Sequence, residues 1–283
     1  MNQGLPSATA RHAAFLRAAH QLMDDPRIFD DPLALRIIGA EAEKALRSNP
    51  EYFQTDLLRH LRALIAMRSR YAEDGLAEAV SGGVRQYVIL GAGLDTFAYR
   101  NPYTENLLHV FEVDHPATQE WKREQLKNQG ISIPASLTFA PFDFEKETLA
   151  QGLIRAGFRV GEPAFFSWLG VAIYLTETAV METLAFAASS PAGSGIVFEF
   201  SVPLSYLNET QRARRKELAD RLAAIGEPFL TFFDPSSLER DLRRMGFGHV
   251  EHFAPKEANL RYFKDRADGL SVGGSGHLMK ARV

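Results

Sequence analysis

The sequence predicts an α/β fold, a doubly wound and mostly parallel sheet of about seven strands. Three observations carry that prediction. Short apolar runs alternate with segments of helical spacing through the middle of the chain, the pattern of successive β–α units. The run Val88-Ile89-Leu90 is continuous rather than alternating, as suits a central strand covered on both faces. It stops at Gly91-Ala92-Gly93, where two residues without a Cβ allow a sharp turn and close approach of the backbone to a ligand.

The elements follow in order. Residues 7–23 carry helical spacing through Ala14, Leu16, Ala18, Ala19 and Leu22, and Asp24-Asp25-Pro26 ends the run. Asp31 before Pro32 reads as the N-cap of a second helix, and residues 40–47 as a third. Thr55 reads as the cap of a long helix over 56–80, closed by Gly82-Gly83. The apolar stripe of that helix is Leu57, Leu61, Ile65, Ala72 and Leu76, and Arg68 occupies the position where the stripe should continue. A guanidinium there needs a carboxylate partner. The spacing alone favours a structural role, an internal salt bridge or a side chain that snorkels to solvent, over a clamp on the carboxylate of a ligand.

Strands are then expected at 88–90, 107–113, 137–142, 164–169 and 195–200, with helices after the glycine turn and over 116–130, 145–156 and 177–188. Asp95 and Thr96 read as the cap of the helix after the glycines. A charged helical stretch over 204–225 has no strand directly after it and reads as an inserted cover. Asp234-Pro235 starts a helix to Met245, and residues 250–253 and 277–283 are candidate closing strands. The expected organisation is one domain over 1–283: an N-terminal helical cap (1–83), a ligand-binding core (84–202), the helical cover (203–233), and a C-terminal helix with closing strands (234–283).

Composition narrows the function. Of 283 residues, 46% are hydrophobic and 24% charged, with a net charge of −3, which gives no general attraction to nucleic acid or anionic membrane. With no cysteine, disulfides, thiolate nucleophiles and cysteine-based metal sites are excluded. The histidines show no metal-ligand spacing, so no metal is expected. No secretory leader is evident, and the longest apolar run, 165–175, falls short of the roughly 20 residues a membrane helix needs. The expectation is a cytoplasmic enzyme with a small-molecule substrate, with neither nucleic acid nor membrane as partner, and no indication of an oligomer.

Asp114 lies at the end of the second strand, 23 residues after Gly91, where an acid can bind ribose hydroxyls or cap the helix opening at Pro116. Asp143 ends the third strand, either as a turn residue or as an acceptor for an adenine amino group with Phe144 beside the base. The basic run Arg212, Arg214, Arg215 and Lys216 reads as a solvated face, and His109 and His115 as incidental.

Together these segments match a known pattern. Leu90-Gly91-Ala92-Gly93-Leu94-Asp95-Thr96 followed by Tyr99-Arg100 resembles the "LGAGLDT…YR" signature of the leucine carboxyl methyltransferase-like family of S-adenosylmethionine-dependent methyltransferases. Phe111-Glu112-Val113-Asp114-His115-Pro116, Arg68-Ser69-Arg70, and the segment from Phe166 through Gly170 to Tyr174-Leu175-Thr176 resemble further motifs of that family, in the same order. The resemblance implies a Rossmann-like class I methyltransferase sheet and S-adenosyl-L-methionine as cofactor. It further implies that Gly91 and Gly93 form the turn beside the methionine part, Asp114 binds the ribose, Asp143 and Phe144 hold the adenine, and Arg68 pairs with the cofactor carboxylate. Eukaryotic protein-modifying members carry glutamate where this chain has Leu169, so the resemblance is to the bacterial branch, which implies O-methylation of a small-molecule hydroxyl or carboxyl group. Tyr174 falls near the expected site without an assigned role. The alternatives are an NAD(P)-dependent oxidoreductase, which would share the turn and the acid, and a cofactor-binding protein without catalysis.

Overall fold

The structure, a computed structural model, describes residues 7–142 and 147–283. Helices α1 (Ala8–Met23), α2 (Ala34–Ile38), α3 (Ala40–Ser48) and α4 (Asp56–Ser81) precede the first strand. Then follow β1 (Gln86–Leu90), β2 (His109–Asp114), α5 (Pro116–Asn128), β3 (Leu137–Pro141), α6 (Leu149–Arg155), β4 (Ala164–Trp168), α7 (Glu177–Ala188) and β5 (Gly195–Ser201). The last part holds α8 (Glu209–Ala224), α9 (Pro235–Met245), β6 (His249–Phe253), α10 (Pro255–Tyr262) and β7 (Gly276–Arg282).

Seven strands form one sheet in the order β3-β2-β1-β4-β5-β7-β6. The five from β3 to β5 are parallel, and β7 runs antiparallel to both β5 and β6. Strand periodicity sorts the core into two layers. Val88, Leu90, Phe166, Trp168, Ile196 and Phe198 face α6, α7 and α9, while Tyr87, Ile89, Phe165 and Val197 face α4 and α10. The chain leaves β1 toward β2 on one side and returns at β4 on the other. The crevice over the carboxyl ends of β1 and β4 is therefore the place where such a sheet receives a ligand.

The N-terminal helices pack through a separate apolar cluster that includes Leu16, Ala18, Ala34, Leu46, Phe53 and Ile65. A polar knot fixes this cap to α4. Arg62, 1% exposed, donates from Nε and Nη2 to Asp24 at 2.7 and 2.8 Å and from Nη1 to the Phe53 carbonyl at 2.7 Å. His20 Nε2 accepts from the amides of Ile28 and Phe29, so its Nδ1 carries the proton donated to Asp24 at 2.7 Å.

Several expectations change. No α-helix follows the glycine turn, and residues 97–99 make a single 3-10 turn in which Asp95 Oδ1 accepts from the Phe97 amide at 2.8 Å. Asp31 Oδ1 accepts from the Leu33 amide at 3.0 Å, but α2 starts only at Ala34, because the other Asp31 oxygen is drawn inward to Arg17 and Thr96. Thr55 gives its hydroxyl to the Tyr52 carbonyl instead of capping α4. Helix α6 begins at Leu149, later than the expected 145, behind a capping box of Thr148 and Gln151. Helix α10, opened by Pro255, was not expected at all.

Candidate active site

A cavity of about 1080 Å³ lies over the carboxyl ends of β1, β2, β4 and β5. The glycine turn forms its floor. Gly91 and Gly93 have φ of +68° and +45°, and a Cβ would collide with Val171 at the first and lie 2.9 Å from Ala10 at the second. Both positions thus need glycine to fit protein neighbours, whatever ligand they meet. The turn is braced from the cap. Arg17 Nη2 donates to the Leu94 carbonyl at 2.6 Å, Arg17 Nε meets Asp31 at 2.7 Å, and Thr96 Oγ1 donates to Asp31 at 2.6 Å.

Asp114 accepts from the Gly93 amide at 2.6 Å through Oδ2 and from the His115 amide at 2.7 Å through Oδ1. It is not the N-cap of α5. That role belongs to His115, whose Nδ1 accepts from the Ala117 amide, so His115 is structural and lines the cavity rather than being incidental. Burial pushes the Asp114 carboxyl above its ordinary value, and the two amides and Lys122 pull it back.

Arg68, which also lines the cavity, donates from Nη1 to Glu199 Oε2 at 2.5 Å. The partner that the stripe of α4 demanded is thus within the protein, and both groups line the cavity. The structure therefore brings Arg68, Gly91, Gly93 and Asp114 around one space. Asp143 and Phe144 lie outside the described residues, although Phe142 beside them lines the cavity.

The rest of the lining came less directly from sequence. Tyr174 faces the cavity, and burial beside Glu199 and Glu227 pushes its hydroxyl up, so it stays a neutral donor at physiological pH. His12 and His60 line the cavity with pKa values lowered first by burial and then by Arg221 and Arg214 respectively. The basic run is not wholly solvated. Arg214 donates to His60 at 3.0 Å and pairs with Asp56, and Arg215 stacks over Phe232 and donates to the Val202 carbonyl at 2.6 Å. Both line the cavity, while Lys216 pairs outside with Asp220. Glu227 accepts from the Ser7 hydroxyl and the Thr9 amide, joining the segment after α8 to the start of α1. Glu199 was legible as the one charged residue in an otherwise apolar strand, a signal of the same kind as Arg68.

The sequence profile of leucine carboxyl methyltransferase matches residues 10–188, more than half of the chain. The chain belongs to that family. A Bacillus subtilis protein named "Putative S-adenosyl-L-methionine-dependent methyltransferase YktD" is 35% identical, with 99% of each chain covered. A Mycobacterium avium protein with the same name but no symbol is 32% identical over 77% of this chain and 72% of its own. Among solved structures, a DUF574 family protein of Streptomyces avermitilis aligns with a TM-score of 0.57 at 15% identity, covering 98% of this chain and 97% of that one. A Thermobifida fusca protein described as a "putative methyltransferase" aligns at 0.56 and 17%, covering 99% and 96%. These two share the fold. As a member of the leucine carboxyl methyltransferase family, the chain is an S-adenosylmethionine-dependent methyltransferase, and the nicotinamide and non-catalytic alternatives fall away. The donor set suits that cofactor: a carboxylate held by backbone amides and a pair of opposite charges line the same cavity. Among the described residues no helix is long and apolar enough to cross a membrane, and no cluster of His, Asp or Glu could hold a metal ion.

Proposed function

We infer that this methyltransferase O-methylates a hydroxyl or carboxyl group of a small, partly apolar molecule. The observation that supports this is the character of the cavity beyond the glycine turn. Its lining continues along α4 from Arg68 back to Leu57, about 17 Å at 1.5 Å per residue. The lining there includes Leu57, Leu61, Leu64, Leu218 and Leu222, with His60, Gln211, Arg214, Arg215 and Tyr174 among the polar points. A mostly apolar space with a few convergent polar groups is the usual form of a small-molecule site.

In this reading Asp114 holds the ribose and Arg68 the carboxylate end of S-adenosylmethionine. Asp143 and Phe144, next to cavity-lining Phe142, hold the adenine. When bound, that cofactor supplies a methyl group already activated by its sulfonium. The protein's part is to align the acceptor oxygen and exclude water, and positioning then carries most of the acceleration. A carboxylate acceptor needs no base. A hydroxyl acceptor does, and His12, held below its ordinary pKa by burial, lines the cavity as the neutral imidazole that takes the proton in this reading.

The test is transfer of labelled methyl from S-adenosylmethionine to acceptors in cell extracts, followed by alkaline treatment of the labelled product. A carboxyl ester releases labelled methanol in base, and an ether keeps its label. Label found on nitrogen, sulfur or carbon, or on protein, would overturn this reading.

A further inference from the structure

Four carboxylates line the cavity among the described residues: Asp95, Asp114, Glu199 and Glu227. Three have backbone work. Asp95 accepts from the Phe97 amide, Asp114 from two amides, and Glu227 from the Thr9 amide as well as the Ser7 hydroxyl. Glu199 has none. Its one hydrogen bond among the described residues is the bond to Arg68, which is also the only one Arg68 makes there. Oε1 of Glu199 and the remaining N–H groups of Arg68 are left for something else.

The two side chains are 12% and 14% exposed, and both line the cavity. An ion pair so placed has lost most of its hydration, and it is retained at a cost unless its unused atoms find partners. The surroundings keep room for such partners. Gly170, at φ +71°, borders the guanidinium, where a Cβ would stand 2.8 Å from Nη1 and 2.9 Å from Nη2. Gly276 borders the carboxylate, where a Cβ would stand 3.3 Å from Oε1. Tyr174 lies close to both charges, and Leu64 packs beside Gly276. Fold geometry fixes the pairing. Glu199 shares the face of Val197 on β5, toward α4, and Arg68 projects from α4 to meet it.

We propose that Glu199 receives the α-ammonium group of the methionine end of S-adenosylmethionine, next to an α-carboxylate on Arg68. The inference rests on the cofactor reading of the cavity. An α-amino acid carries opposite charges two bonds apart, so its receptor must present opposite charges side by side, and here they are already in contact. Glu199 thereby makes the pocket specific for a zwitterion rather than for any anion that Arg68 would attract.

Calorimetric titration with three nucleosides tests this. S-adenosylhomocysteine carries both charges, its deaminated analogue only the carboxylate, and 5′-methylthioadenosine neither. Glu199→Gln keeps the shape and removes the charge. The expected result is a loss of about tenfold or more for S-adenosylhomocysteine, no loss for methylthioadenosine, and equal or tighter binding of the deaminated analogue. Equal losses on all three ligands, or no loss on any, would overturn the proposal and leave Glu199 a structural partner of Arg68. Should the variant fail to fold, the wild-type protein decides: it must prefer S-adenosylhomocysteine to the deaminated analogue by a similar factor, and equal affinities reject the proposal. Failure of the cofactor reading itself looks different, because the wild-type protein would then bind none of the three.

Discussion

Asp114 shapes the glycine turn and, in the proposed reading, holds the ribose. Its two oxygens fix the amides of Gly93 and His115, and the residue lines the cavity. Asp114→Asn sets an amide N–H against one of those backbone donors. We expect S-adenosylhomocysteine affinity to fall about tenfold or more by calorimetry. Arg62 is the opposite kind of arginine, sealed away from the cavity. Arg62→Met leaves Asp24 buried without its cation, and the expected loss is about 3–5 kcal/mol in urea denaturation. The contrast explains what was legible at this scale. Helical periodicity exposed Arg68 because a single apolar stripe was assumed for α4. Arg62 escaped because α4 is covered on more than one side, by the sheet and by the N-terminal cap, and the second covered face has no separate signature in the sequence. Glu227, His12 and His60 escaped for a related reason. Their shared surroundings come from segments far apart in the chain, and only tertiary structure brings them together.

At the scale of elements, the strands and most helices were legible because each carries its own local code. A continuous apolar run marks β1, and side-chain caps mark α7 and α9. Thr176 Oγ1 accepts from the Ala179 amide, and Thr176→Ala should cost about 1 kcal/mol in equilibrium unfolding. The misreadings sit where tertiary contacts override that code. After the glycines, Thr96 and Asp95 have capping side chains, yet Thr96 is spent on Asp31 and only one 3-10 turn forms. In α8 the charges suggest a helix solvated all round, but Phe232 and the Val202 carbonyl give Arg215 a reason to turn inward. Helix α10 is short and only weakly amphipathic in sequence, so its packing of Ala258 against the sheet left little trace.

At the scale of the molecule, ligand and proton binding both report on the folded state. S-adenosylhomocysteine at about 100 times its Kd should add about 2.7 kcal/mol to stability, read as a rise in Tm, and NAD should add none. Protons act through the sheet. His252 Nε2 and His277 Nδ1 are 2.8 Å apart and share one proton, and burial, with His252 beside it, pushes His277 from 6.5 down to about 4. The unfolded chain therefore takes up this proton first as pH falls. The contribution of this pair to stability is intact above about pH 6.5 and is lost toward pH 4, with the slope set by the proton gained on unfolding. His277→Gln should flatten that decline by up to about one proton per molecule, measured as denaturation midpoint against pH.

The position of β7 has a consequence for how the protein is made. It is the last strand in sequence, yet it lies between β5 and β6. During synthesis, at about 5–20 residues per second, β5 and β6 both leave the ribosome before the strand that joins them. Until residues 276–282 arrive, β5 carries an open edge and β6 has no place in the sheet. Gly276, which borders Glu199, comes with that strand. A nascent chain thus has a complete glycine turn long before it has a closed binding site, and the interval is when it is most exposed to strand pairing with its neighbours.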